Sequence, residues 1–238
     1  MICNIAHRGY SGKYDENTMI AFKKAIEFGA DGIETDVQLS KDGIPVIIHD
    51  ETLDRTMNGK GFVKDYSLNE LKSFRSRNNH EIPTLEELII LFKDSSLKVL
   101  NIELKNSIIK YQGLEEIVLD LIRKYDIENR VIISSFNHYS LLKVKTLNKN
   151  IITGALTETT LVNVHEYLKN IKCECYHPYY YSIFDENIMN ELKGNYIKVN
   201  PYTINNKIDM KEAIEFGVTS IITNEIEMLN ELKYELRK

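Results

Sequence analysis

Gly32-Ile33-Glu34-Thr35-Asp36-Val37-Gln38-Leu39-Ser40-Lys41-Asp42-Gly43-Ile44-Pro45-Val46-Ile47-Ile48-His49 is the stretch on which the fold turns. Residues 32–39 read as a β-strand. Ser40-Lys41-Asp42-Gly43 reads as a turn, because Asp-Gly supplies the backbone geometry that reverses a chain between two strands. Residues 45–49 are then a second strand. A parallel partner would need a crossover of a dozen or more residues, and this link is far shorter. The pair is therefore an antiparallel arm, to be set aside before the strands of a larger sheet are counted.

Working outward, residues 2–6 read as a short strand and 17–29 as a helix that closes at Phe28-Gly29. Beyond the arm lie a polar stretch, 51–67, and a short helix from Leu68 towards Phe74. Another helix starts near Pro83-Thr84-Leu85-Glu86-Glu87, where Thr84 caps and Glu87 completes a capping box. From there apolar strands at 99–104, 131–134, 151–156, 173–177, 196–199 and 220–223 alternate with helices at 114–125, 139–147, 162–170, 185–192, 210–216 and 227–236. With the strands at 2–6 and 32–39 this makes eight βα units, the number that closes a (β/α)8 TIM barrel. A doubly wound open sheet is the alternative, but no strand is followed by G-x-G-x-x-G. No Pro/Gly/Ser linker divides the chain, so residues 1–238 are expected to form a single domain.

Composition narrows the class. A hydrophobic fraction of 43% in 238 residues is enough for a sizeable core. Thirty Lys+Arg against thirty-five Asp+Glu leave a net charge of −5. That balance argues against a nucleic-acid coat, which needs a basic surplus, but leaves room for a local basic pocket. Cys3, Cys173 and Cys175 are odd in number and form no C-x-x-C, which suits reduced thiols without catalytic roles. Charge sets in early, at Arg8, Lys13, Asp15 and Glu16, and no run approaches the ~18 apolar residues of a membrane span. The expected setting is cytoplasmic, without stable membrane anchoring; the oligomeric state is not written in the sequence.

In a barrel, catalytic groups gather at the carboxyl ends of the strands. His7-Arg8-Gly9 stands just beyond the first strand. Glu34 and Asp36 are two apart on the second, so both side chains face one way, and Glu103 and Lys105 repeat that spacing at the strand 99–104. Three carboxylates at one mouth repel one another and take up protons. A divalent cation removes that cost, and an all-oxygen set suits a hard ion, Mg2+ or Ca2+. His49 closes the hairpin arm, which can fold back over the mouth. Two imidazoles with pKa ~6.5 can divide proton work. Arg8 offers a fork for phosphate oxygens and Lys105 a second positive charge. His80, His138 and His165 read as packed or surface residues; His177 does too, although it ends a strand and could line the pocket. Tyr179-Tyr180-Tyr181 reads as partly core and partly rim, and 227–238 as a solvated helical face with an apolar inner stripe.

These residues resemble the glycerophosphodiester phosphodiesterase family. The likeness is carried by Ile5-Ala6-His7-Arg8-Gly9, Asp15-Glu16-Asn17-Thr18, Glu34-Thr35-Asp36-Val37 and the run from Asp42 to Asp50. Leu53-Asp54-Arg55-Thr56, Asn58-Gly59, the run from Ile82 to Glu87 and Asn101-Ile102-Glu103-Leu104-Lys105 continue it in order. It covers essentially the whole chain and is sharpest before residue 106. The resemblance implies a metal-dependent barrel enzyme that hydrolyses glycerophosphodiesters to an alcohol and sn-glycerol 3-phosphate. Position by position it makes Glu34, Asp36 and Glu103 the metal ligands, His7 and His49 the acid/base pair, and Arg8 and Lys105 the phosphate binders.

Three positions depart from the family's pattern. Asp15 stands where the family usually has Pro, a change this loop is expected to tolerate. Tyr202 takes the place of a common tryptophan, and it is expected to keep an aromatic wall over the glycerol with altered substrate preference. Thr223-Asn224 replaces a Thr-Asp pair, a change expected to leave the core set untouched. The segment between His49 and Pro83 is short, so no elaborate capping domain is expected. Mechanistically, His7 is assigned as base and His49 as acid, with water or the glycerol 2-hydroxyl as nucleophile, the latter through a cyclic phosphate. The rivals are a lysophospholipase D-like activity on lysophospholipids with the same residues, and a noncatalytic phosphodiester-binding barrel.

Overall fold

Sequence neighbours become sheet neighbours throughout the chain, as short βα connections dictate. In the computed structural model, which describes residues 2–236, β1 (Cys3–His7) lies between β2 (Gly32–Leu39) and β9 (Ser220–Thr223). From β2 the order runs through β4 (Val99–Leu104), β5 (Val131–Ser135), β6 (Ile152–Thr157), β7 (Cys175–Pro178) and β8 (Lys198–Val199). β3 (Pro45–Ile47) leaves this path and pairs antiparallel with the end of β2, Val37 opposite Ile47 and Leu39 opposite Pro45. At the seam, Thr219 N–H donates to Val199 O at 2.8 Å and Ile222 N–H to Pro201 O at 3.0 Å. The eight parallel strands thus form a nearly closed barrel with helices between them, and the hairpin arm projects from β2.

Alternation along β2 explains why its whole length is buried while half of it is polar. Ile33 and Val37 pack outward into the hydrophobic core, and Glu34, Asp36 and Gln38 take the other face. The helices are α1 (Met19–Glu27), α2 (Leu68–Leu71), α3 (Leu85–Lys93), α4 (Leu114–Lys124), α5 (His138–Leu147), α6 (Val164–Asn170), α7 (Glu186–Gly194), α8 (Lys207–Glu215) and α9 (Ile226–Glu235). The expected capping box forms: Thr84 Oγ1 accepts from Glu87 N–H, and the Glu87 side chain accepts from Thr84 N–H. In α9 the inner stripe is Ile226, Leu229 and Leu232; of the expected 227–238 face, positions 237 and 238 lie outside the described residues.

Some boundaries move, for local reasons. β8 is shorter than 196–199 because Tyr196 adopts a left-handed φ of 59° in the turn after α7. α8 begins before Met210 because Asn206 caps it, its Oδ1 accepting from Asp209 N–H at 2.9 Å. β7 starts at Cys175, so Cys173 precedes the strand; both thiols are buried. The segment between the arm and α3 builds a small core of its own from Val46, Ile48, Leu53, Val63, Leu71 and Ile82. Among the described residues no helix is long and apolar enough to cross a membrane.

Candidate active site

Strand register does the assembling. β1 pairs with β2 so that His7 stands opposite Glu34, and β2 pairs with β4 so that Asp36 stands opposite Glu103. One ligand atom from each of Glu34, Asp36 and Glu103 lies within 4.8 Å of the other two. All three side chains are almost wholly withdrawn from solvent. Like charges this close and this dry destabilise one another. Burial, then Asp36 and Glu103, hold Glu34 well above the usual carboxylate range, and burial with Asp36 pushes Glu103 up to about 7. Burial also opposes ionisation of Asp36, but Arg8, Lys105 and His49 outweigh it and keep that carboxyl below its ordinary value.

The surrounding cations only partly relieve this cluster. Lys105 Nζ lies 3.0 Å from Glu103 Oε1 and 3.8 Å from Asp36 Oδ1, and Arg8 Nε lies 3.3 Å from Asp36 Oδ2. Asn17 Nδ2 donates to Asp36 Oδ2 at 2.8 Å and so aims that carboxylate. Asn101, beside Glu34 in the β2–β4 register, carries a buried Oδ1 to which nothing donates among the described residues. Three carboxylates and a spare amide oxygen, with no sulfur among them, are the donor chemistry of a hard divalent cation. The residues fit such an ion.

Arg8 has a left-handed backbone, with φ of 55°. Its N–H thereby donates to Glu34 Oε2 at 3.0 Å while its Nη1 donates to Glu16 Oε1 at 2.9 Å. Gly9 follows at φ 76°, where an added Cβ would lie 2.8 Å from the Ala21 carbonyl carbon. The two histidines differ in their partners. His7 Nδ1 lies 2.7 Å from Asn224 Oδ1, and its Nε2 lies 3.9 Å from Glu34 Oε2. Burial and the neighbouring Arg8 lower the His7 pKa to about 4, so its ring is neutral at pH 7. His49 Nδ1 lies 2.6 Å from Asp50 Oδ1, and the His49 side chain remains partly exposed on the arm.

A cavity of about 210 Å³ opens among these groups, bordered by His7, Arg8, His49 and Glu103 on one side and by Phe136, Glu158 and Tyr202 on the other. Tyr202 Oη donates to Thr157 O at 3.0 Å, which fixes its ring, and Phe136 meets that ring edge-on at 6.0 Å between centroids. The structure brings His7, Arg8, His49, Glu34, Glu103 and Tyr202 to this one cavity, with Asp36 and Lys105 tied to its carboxylates. His177 is not there. Its ring is fully buried against Gly154, with Asn200 Nδ2 at 2.9 Å from Nε2.

Two of the departures bear on the site. Asn224 does touch the core set, contrary to expectation, because β9 pairs with β1 and carries it to His7. Asp15 accepts from Ser76 Oγ at 2.5 Å, Asn78 N–H at 3.0 Å and Asn78 Nδ2 at 2.7 Å, tying the first βα loop to the insert, the segment between the arm and α3. Phe136, Glu158, Asp50 and Asn101 escaped the sequence reading as site residues. Phe136 and Glu158 each come immediately after a strand's last residue, and that position is the signal that could have found them.

Known proteins with the same sequence pattern and fold identify the family. A sequence model of the glycerophosphoryl diester phosphodiesterase family matches residues 7–228. A glycerophosphodiester phosphodiesterase of Caldanaerobacter subterraneus subsp. tengcongensis is 45% identical over 232 residues, covering 94% of this chain and 95% of the relative. An Oleispira antarctica phosphodiesterase, solved with the product sn-glycerol-3-phosphate, has a TM-score of 0.89 at 29% identity, covering 97% of this chain and 96% of its own. A glycerophosphodiester phosphodiesterase of Thermotoga maritima has a TM-score of 0.82 at 30% identity, covering 98% of each chain. The chain belongs to the glycerophosphoryl diester phosphodiesterase family.

Proposed function

We propose that the chain, acting as a single domain, hydrolyses glycerophosphodiesters to an alcohol and sn-glycerol 3-phosphate at this mouth, with one divalent cation, Mg2+ or Ca2+. The observation that carries the reading is one cavity bordered by two histidines, Arg8 and the Glu34–Asp36–Glu103 cluster. The product held by the Oleispira relative supports the same chemistry. Glu34, Asp36 and Glu103 would hold the ion. When bound, it supplies positive charge to a nonbridging phosphate oxygen and to charge developing at the reacting oxygens.

The chain's own residues divide the remaining work. Arg8 and Lys105 hold the phosphate, and Tyr202 walls the cavity beside it. His7, neutral and fixed by Asn224, takes the proton of the attacking oxygen, either a water or the glycerol C2 hydroxyl; in the second case a water must then open the resulting cyclic phosphate to give glycerol 3-phosphate. His49, backed by the Asp50 carboxylate, gives a proton to the leaving alcohol oxygen. The three free thiols support a reducing, cytoplasmic setting. An activity matrix of metals against glycerophosphodiesters, with glycerol 3-phosphate as the detected product, tests the reading. His7→Ala and His49→Ala should each cost ~10²–10⁴ in rate; parent-level activity in either would sink its assignment.

Lysophospholipids are a second substrate class, favoured by one observation. Ile108, Tyr139, Val162, Tyr181 and Ile208 are all more than 60% exposed and follow five successive barrel strands, on the mouth side. Release of free choline or ethanolamine from a lysolipid would establish this class, and its absence would exclude it.

A further inference from the structure

β6 ends at Thr157, and Glu158 follows it onto the mouth. It borders the same cavity as His7, Arg8, His49 and Glu103, on the wall made by Phe136 and Tyr202. Several other carboxylates near the mouth are engaged: Glu16 by Arg8 and Arg55, Asp50 by Arg55 and His49, Asp15 by Ser76 and Asn78, and Glu103 by Lys105. Among the described residues nothing hydrogen-bonds to or pairs with Glu158, and it is exposed. An unengaged carboxylate beside two rings meeting edge to face is a recognition surface for an organic cation.

The cavity is therefore bipolar. With the cation that Glu34, Asp36 and Glu103 would hold, Arg8 at the cavity and Lys105 behind its carboxylates make the positive side, where a phosphate would be held, and Glu158 with Phe136 and Tyr202 supplies the negative, π-rich side. A glycerophosphodiester with an ammonium on its alcohol is a zwitterion of matching polarity. We propose that Glu158, with the rings of Phe136 and Tyr202, forms a head-group subsite that selects amino-alcohol substrates over neutral polyol ones, which places the Tyr202 ring beside the leaving alcohol rather than over the glycerol. The proposal rests on the phosphodiesterase reading above and adds the chemical class of the leaving alcohol. A quaternary or primary ammonium gains an ion pair with the carboxylate and a cation–π contact with the rings; a neutral polyol can hydrogen-bond to the carboxylate but gains neither of these.

The test compares kcat/KM for glycerophosphocholine and glycerophosphoethanolamine with that for glycerophosphoglycerol, using the full chain with saturating Mg2+ or Ca2+. The parent should favour the ammonium substrates. E158Q should lower the ammonium-to-polyol ratio about 3- to 10-fold, the range for an exposed carboxylate helped by aromatic faces. E158D should recover part of the ratio, and rising salt should shrink it in the parent. A ratio unchanged by E158Q overturns the proposal. So does an equal fall for all three substrates, which would assign Glu158 to the shared glycerol or to the loop's structure. A parent that turns over none of the three would instead sink the phosphodiesterase reading, and the subsite with it.

Discussion

Asp50 Oδ1 lies 2.6 Å from His49 Nδ1, and the same carboxylate is gripped by Arg55, Nε meeting Oδ2 at 2.6 Å and Nη2 meeting Oδ1 at 2.9 Å. Arg55 reaches on to both oxygens of Glu16 at 2.8 Å, and Glu16 accepts from Arg8 at 2.9 Å. One chain of charge-assisted bonds therefore runs from the imidazole on the arm to the guanidinium beside Asp36. Arg55 first, then His49, holds the Asp50 carboxyl well below its ordinary range despite partial burial. Asp50 is therefore ionised at neutral pH and can accept a proton carried on His49 Nδ1.

If that acceptor orients His49 for proton transfer, Asp50→Asn should lower kcat by about 10- to 100-fold, part of the total worth of a general catalyst, with KM near the parent value. Arg55→Ala should cost less, because it removes the support and leaves the acceptor. Steady-state kinetics with glycerophosphocholine decides. A kcat for the Asn variant within about twofold of the parent would remove Asp50 from any positioning role.

The carboxylate cluster predicts a link between the ion and stability. A cation that binds only the folded state adds about 2.7 kcal/mol at a hundred times its Kd. For a domain of this size that is a Tm increase of roughly 5–10 °C. Chelation and dialysis should therefore abolish turnover and lower Tm together, and Mg2+ or Ca2+ should restore both. Glu34→Gln removes one of the mutually repelling carboxyls; it should leave the ion-free protein at least as stable and largely erase the ion's effect on Tm. A melting curve indifferent to divalent ions would contradict the assignment of these three residues.

Much of the fold could be read locally, and the site only where its parts were local. The arm was readable because the link from Leu39 to Pro45 is too short for a crossover, and α3 because Thr84 and Glu87 are three apart. Glu34 and Asp36 share a face by alternation alone. By contrast, the Asn224–His7 bond joins residues 217 positions apart across β1 and β9, and no spacing rule encodes it. Asp15 reads as a loop substitution until the insert folds back and presents Ser76 and Asn78. His177 ends near the strand terminus predicted to line the pocket, yet Gly154 leaves room for its ring inside the barrel, which is a packing outcome.

Gly9 combines two obstacles to a side chain. Its φ of 76° disfavours any side chain, and an added methyl group would lie 2.8 Å from the Ala21 carbonyl carbon, which the helix backbone holds in place. Gly9→Ala combines a strained conformation with overpacking at α1, and should cost about 2–4 kcal/mol. Urea unfolding at constant m-value measures this. Because Arg8 N–H holds Glu34 through the same turn, activity should fall further than the folded fraction does. A variant with parent stability would show that the turn relaxes.

Asp31 gives the pH test, at the end of the barrel away from the site. It accepts from Asn4 N–H at 3.0 Å, Lys98 Nζ at 2.7 Å and Lys233 Nζ at 2.5 Å, joining β1, the residue that leads into β4, and α9. Burial opposes its charge, but these partners, Lys233 foremost, lower its pKa from 3.8 to about 2. A carboxyl whose folded pKa lies below its unfolded value stabilises the fold above the unfolded pKa, and loses that contribution as pH falls through the folded one. Asp31 should therefore contribute about 2 kcal/mol at pH 7, declining from about pH 4 to pH 2. Asp31→Asn should lose at least this much at neutral pH, since it also strands the mostly buried Lys233. The gap between parent and variant in urea unfolding should narrow as pH falls from 5 to about 2; a gap of constant size over that window would show that the ionised carboxylate is not what holds these three elements together.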